Sequence, residues 1–407
     1  MYIETMANGV TLVVEEMPWL PSASLELLLP LGSATDPAGQ EGSAALLCDW
    51  LERGAAGRSA QEFSAAFEDL GVRQGSGIGK EQLSFSASLL AEHVPATLAL
   101  YADMLRRPNL EDDNFAAARS VSQQELDSLE DNPSQRLFIA LFTRYFASAH
   151  ARDWRGTYSG LQALSPELVR ADYQRRVVPQ GMIISVAGGV RWAQLRAEVE
   201  ALFADWQGSA VALPEVVVAP AQQQHVSSET SQTQIGVAYQ AIAPGAPGWY
   251  ENALANGVLS GGMGSRLFSE VREKRGLVYS VSAAGRVLRD FGYTIAYAGT
   301  TPERADETLE VLLQELTRLG QGVSAEELER ARVGLLSSLV MQGESSGARA
   351  AALAKDVFLW GRPRAISELK TALEQCSLEQ VNQFLAQRPP SRYTVLTLGP
   401  KTVEVPA

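Results

Sequence analysis

The sequence is poor in the residue types that staple small folds or bind zinc. Its 407 residues include only two cysteines, Cys48 and Cys376, which are too few for a disulfide framework. The three histidines are His93, His150 and His225, and no two of them stand at the spacing of metal ligands. The low content of both residues argues against a disulfide-rich domain and against a histidine-based metal site in this chain.

Long apolar runs and an excess of positive charge are also lacking. No apolar run approaches the roughly 18 residues of a membrane span, and the N-terminus has no basic n-region followed by an apolar h-region. The net charge of −13 argues against an electrostatic nucleic-acid binder. We therefore expect no membrane and no nucleic-acid partner. The expected location is the cytoplasm, or the periplasm if an export signal has been removed.

The length and the order of patterns indicate a duplicated domain. A chain of 407 residues exceeds what one core usually supports. In residues 84–126 and again in 292–339, a strand leads through a Pro-containing turn into a helix, and a long helix with an acidic start follows. A Pro-, Ala-, Gln- and Ser-rich stretch separates the two patterns. The sequence predicts domains at 1–210 and 230–407 joined by a linker at 211–229. Each domain is expected to be α+β, a mainly antiparallel sheet with helices on one face.

Four segments carry a resemblance to a known family. They are "NGVTLVVEE", "PLGSATDPAGQEGSAALL", "EDNPSQRLF" and "GGMGSRLFSEVREKRGLVYSVSA". Together they make nearly the whole chain similar to the M16 peptidases, the pitrilysin-like inverted zinc peptidases, and in particular to their small bacterial two-domain type. The resemblance implies the M16/LuxS-like metallohydrolase fold for both halves.

In the first half, the resemblance places the zinc motif on residues that cannot perform its chemistry. Active members carry His-x-x-Glu-His on a helix, with two histidines as ligands and the Glu as general base. Here the motif positions hold Ala45, Cys48 and Asp49, whereas the more distal third ligand is present as Glu125. We expect no metal and no other cofactor in this chain. A Cys48, Asp49 and Glu125 metal set is the alternative, although the general base would still be missing.

The second half keeps what the resemblance implies for substrate. Active members need an Arg and a Tyr seven residues apart, which correspond to Arg272 and Tyr279 in "REKRGLVY". A guanidinium and a phenol are suitable donors for an oxyanion. The glycine-rich stretch with Gly261, Gly262 and Gly264 would line a chamber wall that substrate backbone approaches closely. The alternatives are that Arg272 pairs with a neighbouring Glu, that Tyr279 packs in a strand, and that the glycines form a plain helix-start turn.

The resemblance therefore implies the non-catalytic subunit of a heterodimeric M16 peptidase. A homologous partner would carry the zinc, and the two subunits would close as a clam shell around unfolded peptides. This chain would donate Arg272 and Tyr279 in trans, and would be inactive alone or form a homodimer without its partner. A structural or peptide-binding protein with no peptidase role, and a self-sufficient peptidase with an unusual metal set, are the other two readings.

Overall fold

The computed structural model describes residues 1–403, and these divide into two compact units. The first unit comprises Met1–Ser128, Arg152–Glu215 and Gln342–Arg364, and the second comprises the remaining described residues. Each unit is built around one β-sheet. No helix within the described residues is both long enough and apolar enough to cross a membrane.

Residues 1–403 form eleven strands, six in the first sheet and five in the second. They are β1 (Tyr2–Thr5), β2 (Thr11–Glu16), β3 (Ser22–Leu29), β4 (Arg73–Ile78), β5 (Leu83–Leu90), β6 (Ile183–Gly188), β7 (Gln223–Ser227), β8 (Thr233–Ala241), β9 (Val278–Leu288), β10 (Phe291–Thr300) and β11 (Thr394–Gly399). The sheet orders are β1-β2-β6-β3-β5-β4 and β7-β11-β8-β10-β9.

Apart from the extra edge strand β1, the two sheets have the same strand order and the same strand directions. The pairs β2·β6 and β7·β11 are parallel, and every other pair in both sheets is antiparallel. If the two sheets were unrelated, the agreement in strand order and direction would be a separate coincidence at each strand pair. The predicted duplication and the mainly antiparallel α+β architecture are therefore confirmed.

Fourteen α-helices occur in the same described range. They are α1 (Ser43–Leu51), α2 (Ala60–Glu68), α3 (Val94–Arg106), α4 (Asp112–Asp127), α5 (Pro133–Tyr145), α6 (Tyr158–Ala163), α7 (Pro166–Arg176), α8 (Trp192–Phe203), α9 (Trp249–Ser260), α10 (Ala305–Leu319), α11 (Ala325–Gly343), α12 (Ser346–Trp360), α13 (Ile366–Gln375) and α14 (Leu378–Gln387). Several begin at side-chain caps, such as the Ser59–Glu62 capping box before α2.

Two helices belong to the unit built by the opposite half of the sequence. Helix α12 packs on the first sheet, where Leu353 and Phe358 contact Val13 and Ile183. Helix α5 packs on the second sheet through Leu137 and Leu141. Each sheet is therefore covered on one face by helices of its own half and on the other by an exchanged helix. The units consequently do not coincide with the sequence ranges 1–210 and 230–407.

Strand β8 illustrates how one strand serves both faces. Its alternate residues Ile235, Val237 and Tyr239 lie in the core formed with α9 and α10. On the opposite face, Gly236 leaves room for α5, because a Cβ at this position would lie 3.1 Å from Leu141 Cδ2. The two-residue period of a strand thus supplies both layers of the second unit.

Two short polar segments are strands. Gln223–Ser227, within the expected linker at 211–229, is β7 and pairs with β11, a strand about 170 residues further on. Arg73–Ile78, which contains two glycines, is the edge strand β4 paired with β5. Both strands are short and polar, so their pairing depends on a partner strand that the local pattern does not identify.

Candidate functional site

The helix that carries the altered motif, α1, is fixed at its N-terminus by a buried carboxylate. Gly42 precedes the helix with φ 104°, a backbone conformation that glycine adopts without strain. Asp36 accepts hydrogen bonds from the backbone N–H groups of Gly42 and Ala44, both at 2.9 Å. These amides would otherwise be unpaired at the helix start, so Asp36 takes the role of a capping side chain.

Arg176, at the end of α7, joins this cap to a second carboxylate. Its guanidinium is fully buried and donates to Asp36 Oδ1 at 3.0 Å, to Ser43 Oγ at 3.1 Å and to Asp172. Ser43, the first residue of α1, in turn donates to Asp172 Oδ2 at 2.5 Å. One arginine between two buried carboxylates therefore locks the orientation of α1 relative to α7.

The outward face of α1 borders a cavity of about 430 Å³ within the first unit. Ala45, Cys48 and Asp49 line it from α1, and Glu125 lines it from α4. Ser76 of strand β4, with Trp154 and Arg155 of the loop before α6, completes much of the wall. The four motif positions read from the sequence are thus brought together at one place.

The side chains at those positions do not form a metal site. Cys48 is 5% exposed, and burial, with a smaller effect from the charge of Glu52, raises the pKa of its thiol far above the usual range, which keeps it protonated. Asp49 is bound to Arg53, and Glu125 Oε2 lies 3.8 Å from Arg155 Nε. No group of three or more His, Cys, Asp and Glu residues in the described chain is placed to hold a metal, and the cavity lining includes no histidine. The residues present do not fit zinc.

Glu52 also lines this cavity, and the motif comparison missed it. Burial raises its pKa to about 7, the charge of Asp49 adds to this effect, and a hydrogen bond from Ser76 Oγ at 3.2 Å opposes it. Glu52 stands four residues after Cys48, so the helical period places both on one face of the α1 turn. The four-residue spacing from Cys48 could have identified Glu52 from the sequence, but Glu52 lies outside the five-residue motif.

The Arg272 and Tyr279 pair lies in the second unit, on a π-helical segment and the strand that follows it. Residues Phe268–Glu273 form the π-helical turn, and Tyr279 is the second residue of β9. The Arg272 guanidinium carbon lies 5.1 Å from the centre of the Tyr279 ring and 4.8 Å from that of Phe268. The π-turn adds one residue to the turn, a feature that often occurs at functional sites.

Both side chains of the pair are available to a ligand. Tyr279 is 82% exposed although it belongs to a strand. Arg272 has no ion pair or side-chain hydrogen bond among residues 1–403, and the neighbouring Glu270 binds Lys274 and Arg275 instead. The pairing and packing roles considered for these two residues are therefore not what the structure has.

Three contacts hold the backbone that carries this pair. Arg266, just before the π-helical turn, makes a two-pronged contact with Glu327 of α11, at 2.7 and 2.8 Å. This ion pair lowers the pKa of Glu327 to about 2. After the turn, Thr300 Oγ1 donates to the carbonyl of Leu277 at 2.7 Å, and Arg304 donates to that of Gly276. The pair is thus presented from a fixed support.

The glycine-rich stretch borders a smaller cavity of about 280 Å³ in the second unit. Gly262 has φ 150° and open space where a Cβ would be, whereas a Cβ on Gly264 would lie 2.9 Å from Arg330 Cδ. Arg330 Nη1 donates to the Gly264 carbonyl at 3.0 Å. Gly264 therefore serves local packing, and Gly262 leaves its backbone accessible.

Comparison with protein families matches both halves to models of peptidase family M16. Residues 11–154 match the family model described as Insulinase (Peptidase family M16), and residues 163–335 match the model described as Peptidase M16 inactive domain. The two matched ranges together cover most of the chain.

Known proteins match over nearly the full length. The uncharacterized zinc protease YmxG of Bacillus subtilis is 26% identical, with 97% of each chain covered. The uncharacterized zinc protease Rv2782c of Mycobacterium tuberculosis is 27% identical, over 97% of this chain and 92% of that protein.

Among solved structures, a peptidase M16 inactive domain from Pseudomonas fluorescens matches with a TM-score of 0.89 at 23% identity, covering 100% of this chain and 99% of that one. A protease from Helicobacter pylori matches with a TM-score of 0.90 at 18% identity, covering 98% and 99%. At these identities the structures establish the shared fold.

Proposed function

The chain belongs to peptidase family M16, and from this premise we propose that it is the non-catalytic subunit of a heterodimeric M16 zinc peptidase. One observation carries the proposal. The cavity at the motif positions has no set of metal ligands among the described residues, while Tyr279 is exposed and the half-buried Arg272 beside it has no ion pair among residues 1–403, both on a fixed support. The catalytic zinc would then belong to a homologous partner, and this chain would supply donors to that partner's site.

The roles of the two side chains follow from their chemistry. When a peptide bond is attacked, its carbonyl oxygen gains negative charge, and donors already in place stabilise that charge. Arg272 offers a planar fork of N–H groups and a permanent charge, and Tyr279 offers an O–H. The partner's zinc would supply the activated water. Unfolded peptides are the expected substrate, because an extended backbone exposes its carbonyl groups to such donors.

The first unit has a supporting role in this proposal. It has the fold of one half of an M16 metallopeptidase. In its cavity, however, Ala45 and Asp49 stand at the positions of the two histidine ligands, and Cys48 stands at the position of the general base. The relatives named zinc proteases are 26–27% identical to this chain. If the partner subunit carries the zinc, this accounts both for the similarity to proteins named zinc proteases and for the missing zinc ligands in this chain.

The test is reconstitution with a zinc-bearing M16 subunit from the same genome. We expect the isolated chain to bind no stoichiometric zinc and to cleave no peptide, and the mixture to cleave a fluorogenic unfolded peptide. Arg272→Ala or Tyr279→Phe in this chain should lower kcat by about 10²–10³, the cost of losing one oxyanion donor. KM should change little, since such donors act mainly on the transition state.

Assembly of each variant complex is checked by size exclusion, and Asp49→Ala in the emptied site is the control. It should leave kcat unchanged, because Asp49 is already bound to Arg53. Full activity of the Arg272 and Tyr279 variants in assembled complexes would refute the donation in trans and favour a purely structural subunit. One chelatable zinc per isolated chain, with peptidase activity, would refute the non-catalytic assignment itself.

A further inference from the structure

The second unit contains a cavity of about 630 Å³, larger than either cavity described above. It lies where the C-terminal ends of α5 and α14, helix α9 and the segment 388–392 meet. The segment 218–221 closes one side and is fixed there, because Ala219 N donates to the Tyr145 carbonyl at 2.8 Å. The volume lies in the range of small-molecule sites. None of the residues discussed for peptide cleavage lines it.

The charge of its wall is opposite to that of the whole chain. The net charge of the protein is −13, yet the residues that line this cavity include Arg388 and Arg392 and no Asp or Glu. Neither guanidinium has a hydrogen bond or an ion pair among residues 1–403. Arg392 also has φ 55°, a conformation that costs free energy for a residue with a side chain. Two unpaired arginines on one cavity form a site ready for an anion.

We propose that this cavity binds an organic carboxylate whose apolar part lies against Leu319 and Phe384. The arginine forks match the two oxygens of a carboxylate, and Asn252, Asn256 and Gln240 offer amides for neighbouring polar groups. A singly charged carboxylate is favoured over a doubly charged phosphate, since the cavity is bordered by the C-terminal end of α14, which carries partial negative charge.

Two sources provide this chemistry: the C-terminus of a short peptide and a free organic acid. The probes are N-acetyl-trialanine with a free carboxylate, the same peptide as its C-terminal amide, and hexanoate, a singly charged acid with an apolar chain, each titrated into the full chain by calorimetry. The carboxylate peptide should bind, and the amide should bind at least about tenfold more weakly, because it lacks the charge that the arginines recognise. Binding of hexanoate in place of the peptide would identify the free acid as the source.

The variants are Arg388→Ala and Arg392→Ala, with Arg191→Ala as a control of equal charge change at an exposed arginine of the first unit. Each arginine variant at the cavity should weaken carboxylate binding about tenfold, and Arg191→Ala should leave it unchanged. The proposal is overturned if neither carboxylate binds, if acid and amide bind equally, or if the cavity variants behave like Arg191→Ala.

Discussion

The two units use their carboxylates in opposite ways. In the first, Glu52 lies beside the altered motif with no ion pair among residues 1–403, and burial raises its pKa to about 7 against the weaker opposing effects of Ser76 and Arg53. In the second, Glu327 is paired with Arg266, and the pKa of this carboxyl falls to about 2. One carboxylate lies at the altered motif, and the other supports the segment that carries Arg272 and Tyr279. The two units share a strand order, so this difference lies in the side chains and not in the fold.

The comparison also separates framework from site within the first unit. The buried Asp36, Asp172 and Arg176 network fixes α1, although the described residues of α1 include no pair of metal-binding histidines. The network holds the helix whatever side chains stand at the motif positions, because removing a member of a buried network costs stability. The position of the motif residues in one cavity is a property of that framework.

The largest effect that tests this comparison is the loss of Arg176. Arg176→Met should lower the free energy of unfolding by about 3–5 kcal/mol, since Asp36 and Asp172 would be left buried without their cation. Arg175→Met is the matched control. Arg175 also binds Asp172, but its side chain is 42% exposed, so its removal should cost at most about 1 kcal/mol. Urea denaturation of both variants measures the difference, and equal losses would mean that the network does not hold α1.

A smaller effect concerns pH and Glu52. A carboxyl whose pKa is raised on folding costs stability as pH rises from its unfolded value near 4.5 to its folded value near 7. Glu52→Gln removes this cost. The variant should be about 1–2 kcal/mol more stable than the parent above about pH 7.5, and the difference should vanish near pH 4.5.

Glu327→Gln is the comparison from the other unit, and its sign should be reversed. A carboxyl with a lowered pKa stabilises the fold above its unfolded value, and this contribution is lost as pH falls from about 4.5 towards 2. Glu327→Gln should therefore be less stable than the parent at neutral pH, by about 1–2 kcal/mol after allowance for solvent screening. If Glu52→Gln and Glu327→Gln both raised, or both lowered, the free energy of unfolding at neutral pH, the contrast between the two units would be contradicted.

The sequence predicts local features of this molecule better than distant pairings. The amphipathic α10 follows from its residue pattern alone, and the four positions that the resemblance names, Ala45, Cys48, Asp49 and Glu125, line one cavity. The exchange of α5 and α12 could not be read in this way. An amphipathic helix shows that one face is buried, but it does not show which sheet buries it.

Arg155, like Glu52, is a site residue that the motif does not include. It lies in an irregular loop and reaches Glu125 only in the folded chain. Sequence patterns report burial, whereas the contacts of a loop side chain are defined by its three-dimensional neighbours.

The smallest expected effect is the sharpest test of the second unit. In the isolated chain, Tyr279→Phe should change the free energy of unfolding by less than about 0.5 kcal/mol, because the side chain is largely exposed. Arg272→Ala should cost no more than about 1 kcal/mol, the value of an exposed contact between a guanidinium and an aromatic ring. Arg266→Ala, six residues earlier, should cost at least about 2 kcal/mol, since Arg266 is buried and paired with Glu327.

Chemical denaturation of these three variants, without any partner, separates support from function. If Arg272→Ala destabilises the chain as strongly as Arg266→Ala, then Arg272 is a structural residue, and its availability as a donor no longer supports a role in trans. If it is nearly neutral in stability but reduces kcat in the assembled peptidase, the loss must arise at the reaction itself, because the fold that presents the side chain is unchanged. The kinetic and stability measurements on one pair of variants therefore decide whether the second unit contributes chemistry or only shape.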